Sequence, residues 1–146
     1  MVNTDRIADM WTDASDDYDR IVSRELHNPR DVDHWRHELA MRLGDEPHDV
    51  LDVGCGPGFF SIMLSRLGHR VTSLDASEGM LRAARRNLTW YGIEPHVRHG
   101  DVVTLDGVAD SSVDAVVSRD VVWTLHDPAA AYRRWFQVLR PGGLVL

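Results

Sequence analysis

The stretch "LDVGCGPGFF", Leu51 to Phe60, decides how this chain folds. An acidic residue and a short apolar run lead into Gly54, Gly56 and Gly58, three glycines at every second position. Such a run can form a tight turn, a pyrophosphate cradle or a seat for another nucleotide-like ligand. In the fingerprint G-x-G-x-x-G the third glycine lets helix and strand pack closely. Here Phe59 stands at that position, and Pro57 removes an amide hydrogen from the loop, which weakens an anion nest built from successive N–H groups. Asp52, just before the loop, repels phosphate but welcomes an ammonium or sulfonium group. A doubly negative pyrophosphate is disfavoured.

Working outward, "DVLDV" at Asp49 to Val53 reads as a buried strand, Phe59 to Leu67 as a helix ended by Gly68, and "RVTSLD" at Arg70 to Asp75 as a second strand. Ser77 has the chemistry of an N-cap. Met80, Leu81, Ala84, Leu88 and Tyr91 share one face of the helix that follows, with Gly92 placed to end it. "PHVRHGD" is a third strand ending near Asp101, and "VDAVVS" at Val113 to Ser118 a fourth. Asp127 and Pro128 open a helix through Leu139, and "GGLVL" begins a fifth strand. Upstream, Ile7, Trp11, Ala14 and Tyr18 fall at helical spacing; Val32, Trp35, Leu39 and Leu43 repeat the pattern and stop at Gly44, with "HNPR" at His27 to Arg30 as a break between them.

Strands alternating with helices imply an α/β fold, a parallel sheet covered on both faces. Ligands in such sheets bind beyond the carboxyl ends of the strands, where strand order reverses. The informative residues are therefore the strand tails "DVGCGPG", "LDAS", "HGDV" and "SRDV". Asp75 lies 21 residues after Gly54, where an acidic residue can take both hydroxyls of a ribose. Asp101 ends the third strand, where a carboxylate can accept from an adenine amino group while Val102 and Met80 offer apolar contacts.

With 146 residues, 43% hydrophobic and 27% charged, the chain reads as one globular domain, residues 1–146. A helical N-terminal cap over 1–45 is expected to precede a core over 46–146. The net charge of −7 argues against nucleic acid as partner, no apolar run is long enough to cross a membrane, and the Asp-rich start is unlike a secretory signal. A cytoplasmic location and a small or neutral substrate follow as expectations. Cys55, the single cysteine, has no disulfide partner and lacks the companions of a zinc site. His34 and His37 share a helix face but have no third ligand at suitable spacing, so no metal is expected.

The ordered set "LDVGCGPG", "VTSLDAS", "HGDV", "VDAVVSRDVVWTL" and "VLRPGG" resembles the motifs of class I S-adenosylmethionine-dependent methyltransferases, in the branch whose members commonly methylate small molecules. The likeness covers Asp49 to Leu146, and "MWTDASDDYD" is similar to the W-x(6)-Y-D opening segment of that branch through Trp11, Tyr18 and Asp19. It implies a Rossmann-like fold, S-adenosyl-L-methionine as cofactor and S-adenosyl-L-homocysteine as product. By the resemblance, Gly54, Gly56 and Gly58 lie against the methionine part of the cofactor with Asp52 near its amino group. Asp75 takes the ribose hydroxyls, Ala76 and Met80 lie beside the adenine, and Asp101 and Val102 take its edge. Arg119 sits near the methionine and the substrate mouth, and Tyr18 closes over the sulfonium, where an aromatic face adds cation–π attraction.

Methyl transfer from a sulfonium is an in-line displacement, so the protein's task is to hold the nucleophile about 3 Å away and collinear while excluding water. A general base is optional. Tyr18, Arg119, Asp120, Trp123 and His126 are the groups expected nearest the reaction, and His126 alone has an ordinary pKa near neutrality. Cys55 is not read as a nucleophile. The N/D-P-P-Y/F segment that family members use for a flipped base or an amide nitrogen is absent from "SRDVVW", which further lowers nucleic acid as substrate. The family's sheet has seven strands, the last two an antiparallel hairpin, whereas this sequence stops inside the fifth, so the chain is expected to be a fragment of a longer protein. Two alternatives stay open: a module or inactive fragment that holds S-adenosylmethionine without turnover, and a nicotinamide-dependent oxidoreductase. The sequence does not speak to oligomeric state.

Overall fold

A computed structural model describes residues 4–146; the first three residues of the expected cap lie outside the described residues. Five strands form one wholly parallel sheet in the order β3-β2-β1-β4-β5, with β1 at Asp49–Val53, β2 at Arg70–Asp75, β3 at Val97–His99, β4 at Val113–Val117 and β5 at Leu139–Val145. This is the Rossmann-like α/β arrangement that the strand–helix alternation predicts. Chain order reverses between β1 and β4, the adjacent pair whose tails open a crevice.

The period of two along the central strands divides the core between the two faces. Val50, Ala115 and Val117 point to one side, where Leu39, Leu43, Ile62, Leu64 and Leu88 pack on them from the helices α3 at Pro29–Leu43, α4 at Phe59–Arg66 and α5 at Glu78–Trp90. Leu51, Val53, Leu74 and Val116 point to the other side and meet Ala131, Trp135 and Val138 of α6, Pro128–Val138. Trp135 is fully buried because its indole N–H has an acceptor, the Val102 carbonyl at 2.7 Å.

Local signals place the helix starts. Ser77 accepts from the Met80 N–H at 3.2 Å and Asp127 from the Ala130 N–H at 2.8 Å, so each satisfies an amide that a helix leaves unpaired. The N-terminal region departs from expectation: it forms three helices, α1 at Thr4–Asp13, α2 at Ser15–His27, and α3. The predicted break at "HNPR" shrinks to Asn28 alone. Pro29 occupies the first turn of α3, where a missing N–H costs nothing, and the Asn28 side chain accepts from the Arg30 N–H at 3.1 Å. The fifth strand starts at Leu139, three residues before the expected Gly142, because Leu139 pairs with Val113 ahead of an irregularity that accommodates Pro141.

Helices α1 and α2 lie across α5. Gly79 on α5 makes this approach possible, since a Cβ there would come within 2.9 Å of the Thr12 carbonyl and 2.8 Å of Ser15 Oγ. Asp19 of α2 adds an ion pair to Arg86 at 2.6 Å and accepts from the Asn87 amide at 2.7 Å. No helix among the described residues is long and apolar enough to cross a membrane.

Candidate active site

The crevice at the β1 and β4 tails widens into a cleft that encloses about 970 Å³ when its open, solvent-filled mouth is included. Its floor is the glycine loop, and its roof comes from α1 and α2 through Ile7, Ala8, Trp11, Tyr18 and Val22. Side walls come from Asp75, Ala76 and Met80 after β2, Asp101 and Val102 after β3, and Arg119 to Val121 and Thr124 to His126 after β4. Residues from every quarter of the sequence therefore meet in one place.

Two of the three loop glycines face the cleft. Gly54 has φ +68°, and a Cβ there would overlap the Val121 side chain. Gly56 has φ +53°, and a Cβ on it would project into open space 3.8 Å short of the Tyr18 ring. Gly58 does something else: it does not line the cleft, and its left-handed φ of +96° turns the chain into α4, at a place where a Cβ would stand 3.6 Å from the Ala84 Cα, an ordinary contact, so that the backbone conformation and not space calls for glycine. Of the three glycines expected together, the structure thus brings two to the cleft lining and leaves the third at the start of α4.

Asp52 is 2% exposed, yet it reaches the cleft from the β1 tail. Ser61 Oγ donates to its Oδ2 at 2.6 Å, and Ser73 Oγ lies 2.6 Å from Ser61 Oγ. Burial raises its pKa from 3.8 to about 6, and Asp75 nearby pushes the same way, whereas the Ser61 hydroxyl and Arg119 oppose the rise. Asp75 uses both carboxylate oxygens on backbone, accepting from the Gly56 N–H and the Ser77 N–H, each at 2.9 Å. It clamps the glycine loop to the β2 tail. Burial still raises its pKa against those bonds. The Cys55 thiol is pushed well up by burial and by both carboxylates, which leaves it protonated and unreactive.

Asp101 Oδ1 accepts from the Val103 N–H at 2.7 Å and so shapes the turn beyond β3. The Ala76 carbonyl is bound to His99 Nε2 at 3.0 Å, a tie between the β2 and β3 tails. Tyr18 stands edge-on to Trp11, with ring centroids 5.8 Å apart, and desolvation followed by the Asp120 charge raises its phenol pKa. Arg119 is largely buried: its guanidinium lies 4.5 Å from the Phe59 ring centroid and is gripped by Glu25 of α2, Nη2 to Oε2 at 2.8 Å. Asp120 adopts φ +57° on the rim. The 3-10 turn at Val122–Thr124 brings Thr124 and then Leu125 and His126 to the cleft, but it turns Trp123 outward, 76% exposed and away from the lining. Trp123 is therefore not brought beside the other candidates.

Glu25, Ser61 and Ser73 stand behind the cleft lining, Glu25 on Arg119, Ser61 on Asp52 and Ser73 on Ser61, and are missed by sequence reasoning. Each is a common polar residue on a helix or strand with no motif around it, and only packing gives it a partner. Among the described residues no group of three or more His, Cys, Asp or Glu side chains could hold a metal ion.

Comparisons with known proteins bear on this geometry. The profile of a family described as "Methyltransferase domain" matches residues 51–146. The malonyl-[acyl-carrier protein] O-methyltransferase of Serratia marcescens is 33% identical over 145 residues, 99% of this chain and 52% of its own length. A ubiquinone biosynthesis O-methyltransferase from Dinoroseobacter shibae is 31% identical over 99% of this chain and 62% of its own. Among solved structures, a candidate S-adenosyl-L-methionine-dependent methyltransferase of Methanococcus maripaludis superposes with a TM-score of 0.80 at 25% identity, over 92% of this chain and 62% of that one. The chain thus spans a little over half the length of the curated relatives it matches.

Proposed function

The chain belongs to the class I S-adenosylmethionine-dependent methyltransferases, and from that premise we propose that it transfers a methyl group from S-adenosyl-L-methionine to a small-molecule acceptor by in-line displacement. The observation that carries the proposal is the convergence of four strand tails and an aromatic roof on a single cleft. The cleft suits this cofactor in three respects. The open space above the Gly56 Cα would be closed by any side chain, the buried Asp52 carboxylate on the cleft lining is available to an ammonium group, and the walls at Met80 and Val102 are apolar.

When bound, the cofactor supplies an electrophilic methyl group on a positively charged sulfur. In the proposed arrangement Gly54 and Gly56 let backbone lie against the methionine portion, Gly58 acts at one remove by fixing α4, and Asp52 pairs with the amino group. Asp75 keeps lone pairs for the ribose hydroxyls, because a carboxylate accepts about four hydrogen bonds and two are in use. Ala76 and Met80 flank the adenine, and Asp101 and Val102 take its edge. Tyr18 stays protonated at neutral pH, so its ring serves as an uncharged wall over the sulfonium. Arg119, held by Glu25, and the rim residues Asp120 and His126 face the acceptor. No base is assigned, since positioning and the exclusion of water carry most of this reaction.

Both curated relatives are named as O-methyltransferases, which makes an oxygen nucleophile on a small molecule the first acceptor class to test. The acidic charge balance supports an acceptor other than nucleic acid, and the lone Cys55 suits a reducing cytoplasm. Calorimetry with S-adenosyl-L-methionine, S-adenosyl-L-homocysteine and NAD tests the cofactor, and product formation on a panel of small carboxylic acids and phenols tests turnover. Expected are micromolar binding of the two sulfur compounds, none of NAD, and a loss of at least about tenfold in Asp75→Ala. Preference for NAD sinks the proposal; tight binding with no turnover on any acceptor identifies a module that holds the cofactor without using it.

A further inference from the structure

Asp52, Ser61 and Ser73 form a continuous hydrogen-bonded chain in the interior, from β1 through α4 to β2. All three are buried, at 2%, 0% and 1% exposure, and both links measure 2.6 Å. A serine hydroxyl has one proton to donate. Ser61 gives its proton to Asp52 Oδ2, so the proton between the two hydroxyls comes from Ser73, and the chain is polarised toward the carboxylate from end to end. Links aligned in this way strengthen one another where water is absent.

Resting on the proposed cofactor reading, we infer that Ser61 and Ser73 are positioning residues that keep Asp52 ionised and fixed in rotamer beneath the cleft, ready for a cationic amino group. A purely structural role explains the chain poorly. A carboxylate this deep is costly, and alanines with an apolar neighbour would fill the same interior at lower cost. The arrangement makes sense for a charge that must be kept at that spot. Ser61 can reach it because it lies on the first turn of α4, one residue beyond the pair of phenylalanines that follow the glycine loop. Loop and relay are thus set by the same helix start.

The groups facing Asp52 come from several elements: Ser73 and Asp75 from β2, Ser61 from α4, Cys55 from the loop, Arg119 from the β4 tail, and Tyr18 from α2 across the cleft. Asp75 and burial favour the protonated acid. Arg119 favours the carboxylate, but Glu25 neutralises it at 2.8 Å. The serine chain is therefore the principal support of the charge.

The test is a carboxyl-carbon NMR titration of Asp52 in the cofactor-free protein, with S-adenosyl-L-homocysteine affinity measured from pH 5 to 8.5. Ser61→Ala is expected to move the Asp52 midpoint upward by at least ~1 pH unit, and Ser73→Ala to move it less but in the same direction. Affinity in Ser61→Ala should fall about fivefold or more at pH 6 and recover most of the way at pH 8.5, where the carboxylate ionises unaided. Loss by the same factor at every pH, or a midpoint unchanged in both variants, overturns the relay. Should Ser61→Ala fail to fold, the Ser73→Ala titration decides alone. A wild-type Asp52 that shifts as described but a protein that binds no S-adenosyl-L-homocysteine at any pH leaves the relay standing and overturns the cofactor reading instead.

Discussion

Glu25 on α2 and Arg119 at the β4 tail, 94 residues apart in sequence, form a two-pronged ion pair with Nη2–Oε2 at 2.8 Å and Nη1–Oε1 at 3.4 Å. The guanidinium also lies over Phe59, so one side chain ties the N-terminal helices to the start of α4 and to the cleft wall. Both partners are mostly removed from water, which weakens screening and raises the cost of leaving either one alone.

Glu25→Gln should therefore loosen the roof before it loosens the sheet. Amide exchange in α2 is expected to accelerate about tenfold, with roughly 1–3 kcal/mol lost from local stability, while β1 and β4 stay protected. Hydrogen-exchange mass spectrometry reads both at once. Unchanged exchange in α2 means that Asp19 with Arg86 and Asn87 holds the helix without help from Glu25.

At Asp52, stability and the proposed contact with the cofactor oppose one another. Its folded pKa, about 6, lies above the ordinary 3.8, so its stability contribution is fully present below pH 3.8 and is lost as pH rises through 6. Above that point the buried charge costs about 3 kcal/mol, as an order of magnitude. Asp52→Asn should raise the urea midpoint at pH 8 and abolish most cofactor affinity in the same preparation. A variant less stable than wild type at pH 8 contradicts the sign.

His69 acts in the opposite direction. Burial, then the neighbouring His48 and Arg70, lower its pKa below 6.5. Its Nδ1 accepts the His48 N–H at 3.2 Å, a bond that a protonated ring cannot make. Stability from this group is present above pH 6.5 and is lost as pH falls through the lowered folded value. His69→Asn, which can still accept that bond, should lose less stability than wild type between pH 7.5 and 5. Because Asp52 contributes with the opposite sign over part of this window, the informative quantity is the difference between the two proteins in chemical denaturation.

Gly79→Ala tests the seat of α1 on α5 without touching the loop. The added methyl meets the Thr12 carbonyl at 2.9 Å, and backbone cannot yield as a flexible side chain could. Cofactor affinity is expected to fall about tenfold and trypsin cleavage near Arg20 to speed up, with a cost of roughly 1–3 kcal/mol. Affinity equal to wild type shows that α1 is not needed to close the cleft.

Much of the fold was legible because its signals are local. Asp49–Val53 and Arg70–Asp75 are apolar runs bounded by turn residues, and they form strands at those limits. Ser77 and Asp127 are caps with helical periodicity behind them. Where a local signal had two meanings, sequence alone did not decide between them: Pro29 suggested a break but starts a helix, and Gly58, read with the other two glycines, lies outside the cleft lining. Trp123 lies in a run of apolar residues after β4, and nothing in that run reveals that a 3-10 turn sends it outward.

By itself, then, the sequence determined the alternation of strands and helices, the acidic and glycine-bearing tails, and the family to which their order belongs. Periodicity, capping and turn chemistry act over a few residues, so they can be read in a line. Tertiary structure alone decided that Glu25 meets Arg119, that Ser73, Ser61 and Asp52 join in one hydrogen-bonded chain, and that Asp75 accepts from the glycine loop. Those partners are separated by between nine and ninety-four residues. Their polar side chains would be solvated in any other arrangement, and only closure of the sheet and helices removes the water that would otherwise take their place.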